Sequence, residues 1–178
     1  MELLECTLAI DDLDEFVADL GAIGDRHGVT VQAFDARYVA DRAHLERAVE
    51  LADRAISRGE NVARDRAVEI LLYAAGRRQI DRALEMGVDE SETEAVVLVD
   101  KDSTGNEGVR GDGNADEATA LEAVADLAAV VATEPTLEEP DEETLHSFFE
   151  ITDAERAATD ASLSALVRER VALLEVEK

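Results

Sequence analysis

The pattern that most restricts the fold is a series of amphipathic helical segments separated by short apolar runs. The clearest helix spans residues 41–59, where Asp41 is a good N-cap, apolar residues recur every three or four positions, and Gly59 marks the end. A chain built in this way folds by packing many helices onto a small amount of other structure. The same criteria predict further helices at about 11–28, 62–75, 78–86, 116–131 and 153–176.

Short runs rich in β-branched residues predict the strands. They lie at 5–10, 29–39 and 94–99, and the second is expected to bulge where its alternation changes parity. Residues 145–151 are interpreted as a short strand or an ordered turn, after a linker at 133–143 that holds both prolines. These elements predict a helix-rich α/β or α+β fold in which a small sheet of about three strands is covered by many helices.

Composition indicates what fills the core and how many domains there are. Apolar residues make up 46% of the chain and aromatic residues only 3%, so the core is expected to be aliphatic. The length of 178 residues predicts a single domain over 1–178. The segment 100–117, rich in Gly, Asp and Asn, is predicted to be a mobile acidic loop.

The charge balance indicates the environment. The chain has 43 acidic and 17 basic residues, a formal net charge of -26, yet its apolar periodicity argues against disorder. At molar salt the Debye length is about 3 Å, so such crowding of like charges is tolerated, and we expect an intracellular protein adapted to molar salt. A single cysteine, Cys6, no signal peptide and no apolar run of membrane-spanning length predict a cytoplasmic location. Because acidity would then be a property of all proteins in such a cell, the net charge of this chain does not exclude a nucleic-acid partner.

No motif marks a catalytic centre. The histidines at 27, 44 and 146 lack zinc spacing, and the glycines after residue 104 are not followed by the lysine of a phosphate loop. The residues from Asp100 begin like a calcium-binding loop, but the twelfth position, where the loop requires a bidentate Glu, is Gly111. We therefore expect no metal, no cofactor and no enzymatic activity.

Basic residues are concentrated in one part of this acidic chain. Seven arginines lie between 54 and 82, and pairing within helices accounts for Arg54, Arg58 and Arg82. Arg77 and Arg78 differ, because they follow a helix-ending glycine, Gly76, and precede a new helix with Ile80 one turn on. Two interpretations remain open: a structural helix corner, or a site where guanidinium groups hold phosphate and Ile80 packs against an unpaired base.

A family resemblance bears on this choice. The stretches Asn61-Val62-Ala63-Arg64, Glu69-Ile70-Leu71-Leu72 and Ala75-Gly76-Arg77-Arg78-Gln79-Ile80 lie within residues 31–88. This region resembles the small tRNA-binding subunit of the KEOPS complex in its archaeal form, the family whose human member is the PRPK-binding protein. The resemblance continues more weakly into 148–176 and so covers nearly the whole chain.

The resemblance implies a non-catalytic subunit of the complex that installs the threonylcarbamoyl group on tRNA adenosine. Members of this family bind the single-stranded CCA 3′ end of tRNA and dock on the kinase-like ATPase subunit, which they help to regulate. Carried over to this chain, the tRNA-end surface comprises Arg64, Arg77, Arg78, Gln79 and Ile80. The kinase-subunit surface, by analogy, includes Leu163, Leu166 and Val167 on the C-terminal helix.

Two other functions are compatible with the sequence. The chain could be a scaffold or allosteric activator of the kinase-like subunit that makes no contact with RNA. It could also be a small-molecule enzyme without a familiar motif, although no residue supports that interpretation.

Overall fold

The protein is described by a computed structural model that covers residues 1–101 and 116–176. These residues fall into two compact units: unit 1 comprises Met1–Asp35 and Val88–Thr136, and unit 2 comprises Ala36–Gly87 and Leu137–Lys178. The prediction of one domain over the whole chain stays a prediction. The predicted mobile loop at 100–117 lies, apart from its first two and last two residues, outside the described residues.

The strands are β1 (Glu2–Ala9), β2 (Val29–Asp35), β3 (Glu92–Lys101) and β4 (Val130–Thr133). The helices are α1 (Leu13–His27), α2 (Arg42–Arg58), α3 (Arg66–Ala75), α4 (Ile80–Ala83), α5 (Glu117–Ala125), α6 (Glu142–Phe148), α7 (Asp153–Ala157) and α8 (Leu163–Val176). Short 3-10 turns occupy Ala36–Tyr38 and Leu84–Met86.

Unit 1 is a four-stranded sheet with helices α1 and α5. The strand order is β2-β3-β1-β4, and every neighbouring pair is antiparallel. Since β1 and β2 both pair with β3, they run parallel to each other and α1 connects them; α5 lies between β3 and β4 in the chain. This is the ferredoxin-like β-α-β-β-α-β arrangement. The predicted α+β fold is confirmed, with four strands instead of about three.

An aliphatic core explains why unit 1 folds in this way. The apolar run at residues 95–99 is buried throughout, as expected for a strand with neighbours on both sides. Helix α1 begins where the Asp12 carboxylate accepts the Glu15 N–H at 3.0 Å, and it ends at Gly28, whose φ is 66°. Its buried side chains pack into the same core as Cys6.

Unit 2 is helical, and caps set its first two helices; Asp41, Gly59 and Gly76 were predicted, whereas Asp65 was not. The Asp41 and Asp65 carboxylates accept backbone N–H groups at the starts of α2 and α3, and left-handed Gly59 and Gly76 end these helices. The buried His44 connects the two helices, because its Nε2 lies 2.8 Å from the Ala74 carbonyl oxygen. Helix α8 packs against both.

The structure differs from several predicted boundaries. The run 29–39 does not bulge: β2 ends at residue 35 and a 3-10 turn follows. Helix α3 begins at 66 instead of 62, because Asp65 caps it. The predicted helix at 78–86 is a single α turn and a 3-10 turn.

The largest differences lie after residue 116. The predicted helix 116–131 ends at Ala125, and its last apolar residues form β4, since pairing with β1 satisfies their backbone groups. Residues 145–151 are mostly helical and not a strand. The predicted helix at 153–176 is two helices, because Ser162 accepts the Ala165 N–H and starts α8 anew.

Candidate functional site: the two ends of helix α3

The corner between α3 and α4 depends on Gly76. Its φ is 60°, and a Cβ atom placed on it would lie 3.3 Å from the Arg170 carbonyl oxygen of α8. Glycine is therefore required both by the backbone conformation and by the close approach of α8. The corner in turn sets the direction in which residues 77–80 leave the helix.

Arg77 is engaged inside unit 2 and does not project freely. Its Nη2 donates to the Phe148 carbonyl oxygen at 2.6 Å, and its Nη1 lies 3.4 Å from a Glu150 carboxylate oxygen. The guanidinium carbon also lies 5.5 Å from the centre of the Phe148 ring. A cation at the last residue of α6 suits the carbonyl end of that helix, so Arg77 stabilises this helix terminus. The predicted pair of free guanidinium groups is corrected to one.

That remaining group is Arg78. It is exposed, and among the described residues it has no hydrogen-bond or ion-pair partner. Gln79 is exposed beside it, and Ile80 and Leu84 are 44% and 56% exposed. The structure thus brings one available cation together with an exposed apolar surface at this corner.

The N-terminus of α4 contributes little to anion binding at this corner. Helix α4 is only four residues long, and its N-cap Gln79 makes no side-chain capping bond. A single turn sums too few peptide dipoles to attract an anion appreciably. Any phosphate at this corner is bound by side chains.

Arg64 lies at the opposite end of α3. It precedes the Asp65 cap, whereas Arg77–Ile80 follow the last turn, and ten helical residues span about 15 Å. Arg64 is exposed, has no partner within the described part of the chain, and stands two residues after Val62, which is 52% exposed. The five predicted residues therefore form two separate places, each with one available arginine beside an exposed apolar side chain.

A cleft of about 420 Å³ opens beside Arg77. Its wall includes the Tyr38 and Phe148 rings, which meet edge to face with centroids 5.0 Å apart. Three glutamates and two arginines line it, namely Glu85, Glu143, Glu150, Arg77 and Arg82. Because carboxylates outnumber guanidinium groups, this cleft does not favour phosphate, and Arg78 lies outside it.

The predicted pairing within helices is confirmed for Arg54 and for Arg82, which pair with residues one turn away, but Arg58 pairs with a different helix. Arg82 pairs with Glu85 at 3.4 Å, and Arg54 pairs with Glu50 at 2.8 Å. Arg54 and Arg58 both reach Glu175 of α8. These contacts stabilise unit 2 by a few tenths of a kcal/mol each and leave no cation available.

The three side chains predicted for kinase docking are buried. Leu163, Leu166 and Val167 are 8%, 3% and 0% exposed and pack against Leu145 and Phe149. This corrects the prediction, because a side chain in the core cannot contact a partner. The outward side chains of α8 include Leu173 and Val176, which are 44% and 77% exposed.

Two buried groups have strongly shifted pKa values, and neither forms a site. Burial raises the pKa of the Cys6 thiol to about 11, and burial lowers the pKa of His44 to about 4. Both are fully enclosed by the fold. Within residues 1–101 and 116–176, no group of three His, Cys, Asp or Glu side chains is arranged to hold a metal ion. No helix in these ranges is both long and apolar enough to cross a membrane.

Comparison with known proteins gives the family. A family model described as kinase binding protein CGI-121 matches residues 14–175 and so includes parts of both units. No curated protein matches the chain. The matched family is that of the KEOPS subunit which the sequence resembles. Because the match covers nearly all of the sequence, the chain belongs to the CGI-121 family of kinase-binding proteins.

Proposed function

We propose that this protein is a non-catalytic subunit of the KEOPS complex that binds the single-stranded CCA 3′ end of tRNA and docks on the kinase-like ATPase subunit. In this role it recruits tRNA for threonylcarbamoyladenosine synthesis and regulates its kinase-like partner. The kinase-binding part follows from the family, and the RNA-binding part is supported by the surface of unit 2.

One observation carries the RNA-binding part: Arg78 is exposed and unpaired, as far as the described residues go, beside exposed Ile80. Arg26 in unit 1 is also exposed and without a partner among the described residues, so the feature that sets Arg78 apart is the exposed apolar side chain two residues after it. A guanidinium fork next to an apolar side chain matches a nucleotide whose phosphate is held while its base packs flat.

The chemistry of this corner favours an unpaired end over a duplex. A base can pack on Ile80 only when it is not stacked and paired within a helix. At high salt, long-range attraction between charges is screened, so contact hydrogen bonds and apolar packing carry more of the affinity. A small contact surface of this kind can therefore remain effective on a strongly acidic protein.

The test uses charge and polarity reversals with matched controls. Arg78→Glu and Ile80→Glu are compared with Arg26→Glu and Val17→Glu in unit 1, since Arg26 is exposed and unpaired among the described residues and Val17 is 57% exposed. Affinity for tRNA is measured at one fixed salt concentration, with the CCA end present and after its removal. We expect each unit 2 variant to lose at least tenfold in affinity and each control to lose less than twofold.

Two results would contradict the proposal. Equal affinity for intact and trimmed tRNA would favour a scaffold that makes no specific contact with the 3′ end. Equal losses in the unit 1 and unit 2 variants would show that net charge, and not this corner, governs binding.

The docking part is tested separately on α8. Leu173 is exposed on this helix, so Leu173→Glu is expected to reduce co-purification with the kinase-like subunit. Val131→Glu in β4 is the control, because Val131 is 55% exposed in unit 1. If only the control variant lost the partner, docking would have to be assigned to unit 1.

A further inference from the structure

The cleft beside Arg77 carries more negative charge than its own ion pairs use. Its two guanidinium groups are each matched by a glutamate, Arg77 by Glu150 and Arg82 by Glu85, both at 3.4 Å. The third lining glutamate, Glu143, is exposed, and its side chain has no hydrogen-bond or ion-pair partner among the described residues. The lining therefore has one uncompensated negative charge, which a cationic group would complement.

The groups around Glu143 indicate what kind of cation fits. Ser147 lies one turn further along α6 on the same face, and its hydroxyl also has no partner within the described part of the chain. The rings of Tyr38 and Phe148 supply an apolar wall beside these polar groups. A carboxylate, a hydroxyl and an aromatic wall together suit a guanidinium group, which is a planar fork of donors on an apolar stem.

High salt favours a guanidinium group over an ammonium group at this place. A lysine ammonium is a strongly hydrated point charge, and at molar salt its attraction to an exposed carboxylate is screened within about 3 Å. A guanidinium group is more weakly hydrated and can bond a carboxylate through two N–H groups, so contact geometry carries more of its affinity. For a protein adapted to molar salt, as the sequence predicts, arginine is therefore the better ligand.

The cleft is too polar to enclose a free small molecule. Sites for small ligands are lined mainly by apolar side chains and bury most of the ligand, whereas five of the nine residues that line this cleft are charged. An arginine on the surface of a partner protein needs the cleft only for its own side chain, because the surrounding interface supplies the remaining affinity.

The cleft also adjoins the helix proposed for docking. Arg170 of α8 donates to the Phe149 carbonyl oxygen at 3.1 Å, and Phe149 lies in the chain between two lining residues, Phe148 and Glu150. Leu173 follows Arg170 by three residues, on the same side of α8, and is exposed. A partner that packs on Leu173 therefore lies beside the same short segment that forms one wall of the cleft.

We infer that this cleft binds an arginine side chain of the kinase-like subunit, and that Glu143 pairs with its guanidinium group. This inference rests on the proposed function and adds a specific anchor to its docking part. The Ser147 hydroxyl accepts a further N–H, and the Tyr38 and Phe148 rings cover the methylene groups of the arginine. No RNA is involved, since Arg78 lies outside the cleft.

Two neighbouring glutamates provide a matched test. Glu142 and Glu143 are both exposed in the first turn of α6, but only Glu143 lines the cleft. Glu142→Gln and Glu143→Gln therefore remove the same charge from the same helix start. Affinity for the kinase-like subunit is measured by titration calorimetry at one fixed salt concentration. We expect Glu143→Gln to lose about tenfold and Glu142→Gln less than about twofold.

Two further measurements accompany this comparison. Ser147→Ala, a change of one exposed hydroxyl, is expected to weaken docking about threefold. The affinity for tRNA ending in CCA is expected to be the same in all three variants and the unchanged protein. Equal losses of docking affinity in Glu142→Gln and Glu143→Gln would show that net charge, and not the cleft, is responsible, and would overturn the inference.

A charge exchange identifies the arginine of the partner. Glu143→Arg is expected to weaken docking about a hundredfold, because two guanidinium groups then face each other. Surface arginines of the kinase-like subunit are changed to glutamate one at a time. One of these changes is expected to weaken docking of the unchanged protein and to restore about tenfold of the affinity of the Glu143→Arg protein. If none restores it, the inference is wrong.

Free L-arginine tests the alternative of a small-molecule site. Because a single side chain has no surrounding interface to add affinity, we expect no saturable binding to the isolated protein up to about 1 mM. Saturation below that concentration, lost in Glu143→Gln, would identify a small-molecule site and overturn the docking role.

The outcomes separate this inference from the function on which it rests. If Leu173→Glu weakens docking while the Glu143 variants do not, the anchor is wrong and the proposed function stands. If the kinase-like subunit does not bind the unchanged protein at all, the docking part of the proposed function fails, and the inference fails with it. Loss of tRNA affinity in Glu143→Gln, with docking unchanged, would assign the cleft to RNA and overturn the inference.

Discussion

The two units of this protein differ most in where their charge lies. By sequence, unit 1 carries 22 acidic and 3 basic residues, a net charge of -19, whereas unit 2 carries 21 and 14, a net charge of -7. The acidic counts are nearly equal, so the difference is almost entirely one of arginine. Adaptation to salt, as predicted from the sequence, would explain the carboxylates in both units but not this uneven distribution of cations.

Most arginines of unit 2 are bonded within the unit, and this shows which ones are available for binding. Arg66 makes a bidentate contact with Asp53 at 2.7 and 2.9 Å, and Arg170 donates to the Phe149 carbonyl oxygen at 3.1 Å. Arg64 and Arg78 are exceptions among the described residues. Absence of an internal partner does not by itself mark a site, since exposed Arg26 and half-buried Arg156 also lack one among the described residues. Arg64 and Arg78 differ because each lies two residues from an exposed apolar side chain.

The largest effect is expected when both available arginines are reversed. In Arg64→Glu/Arg78→Glu we expect RNA affinity about a thousandfold lower, or about 4 kcal/mol, because the two proposed phosphate contacts, at opposite ends of α3, become repulsive. Fixed-salt binding of intact tRNA measures this. Reversal of Arg26 in unit 1 adds the same kind of charge and is expected to change affinity less than twofold. A loss of affinity below tenfold in the double variant would contradict the conclusion that the available arginines of unit 2 bind RNA.

The next largest effect is on stability and depends on pH. Burial lowers the pKa of His44 to about 4, against attraction from Asp41, whereas an unfolded histidine has its ordinary value near 6.5. Above pH 6.5 both states are neutral and His44 has no effect. Below it, the unfolded state binds the proton first, so the free energy of unfolding falls by up to about 3 kcal/mol as the pH reaches 4.

Urea unfolding between pH 7.5 and 4.5 measures this dependence. In His44→Gln the histidine part of the slope is expected to disappear, although carboxylate titration remains in both proteins. His27→Gln is the control in unit 1, because His27 is only partly buried. An identical pH dependence in His44→Gln and the unchanged protein would show that His44 is protonated in the fold.

A smaller effect distinguishes two glycines that end helices. Gly28 in unit 1 and Gly76 in unit 2 both have positive φ, 66° and 60°, so alanine is strained at either position. A Cβ at Gly28 meets no atom within 4 Å, whereas at Gly76 it approaches Arg170. We expect Gly28→Ala to cost about 1 kcal/mol and Gly76→Ala about 2 kcal/mol in urea unfolding. Equal losses would show that α8 yields to the added methyl group.

Local chemistry made much of unit 2 predictable from the sequence. Asp41, Gly59 and Gly76 act within one turn of their own position, and the structure confirms all three as caps. Strand β4 was not predictable in this way, because its pairing with β1 joins residues more than 120 positions apart. Its apolar residues fit a helical pattern until that distant partner is known.

In the candidate site, too, the features set by local sequence were predictable and those set by distant contacts were not. Arg78 and Ile80 are exposed because they follow Gly76, which ends α3, and this glycine can be recognised in the sequence. Engagement of Arg77 by Phe148 depends on a contact 71 residues away, and no local pattern indicates it. The exposure of Val62 was not predicted for a local reason: the helix was started at 62, whereas recognising Asp65 as its N-cap leaves Val62 in a loop.

The smallest expected effect is on Cys6 of unit 1, which should not react in the native protein. The thiol is fully buried in β1, and burial raises its pKa to about 11, so almost no thiolate is present at pH 8. Alkylation by iodoacetamide is expected only through unfolding, and its rate then reports the stability of unit 1. The chain passes between the units three times, so we expect the two units to unfold together. Gly76→Ala in unit 2 should then speed Cys6 labelling by the factor that corresponds to its loss in free energy of unfolding. If only Gly28→Ala speeds labelling, the units unfold separately and the single-domain prediction is wrong.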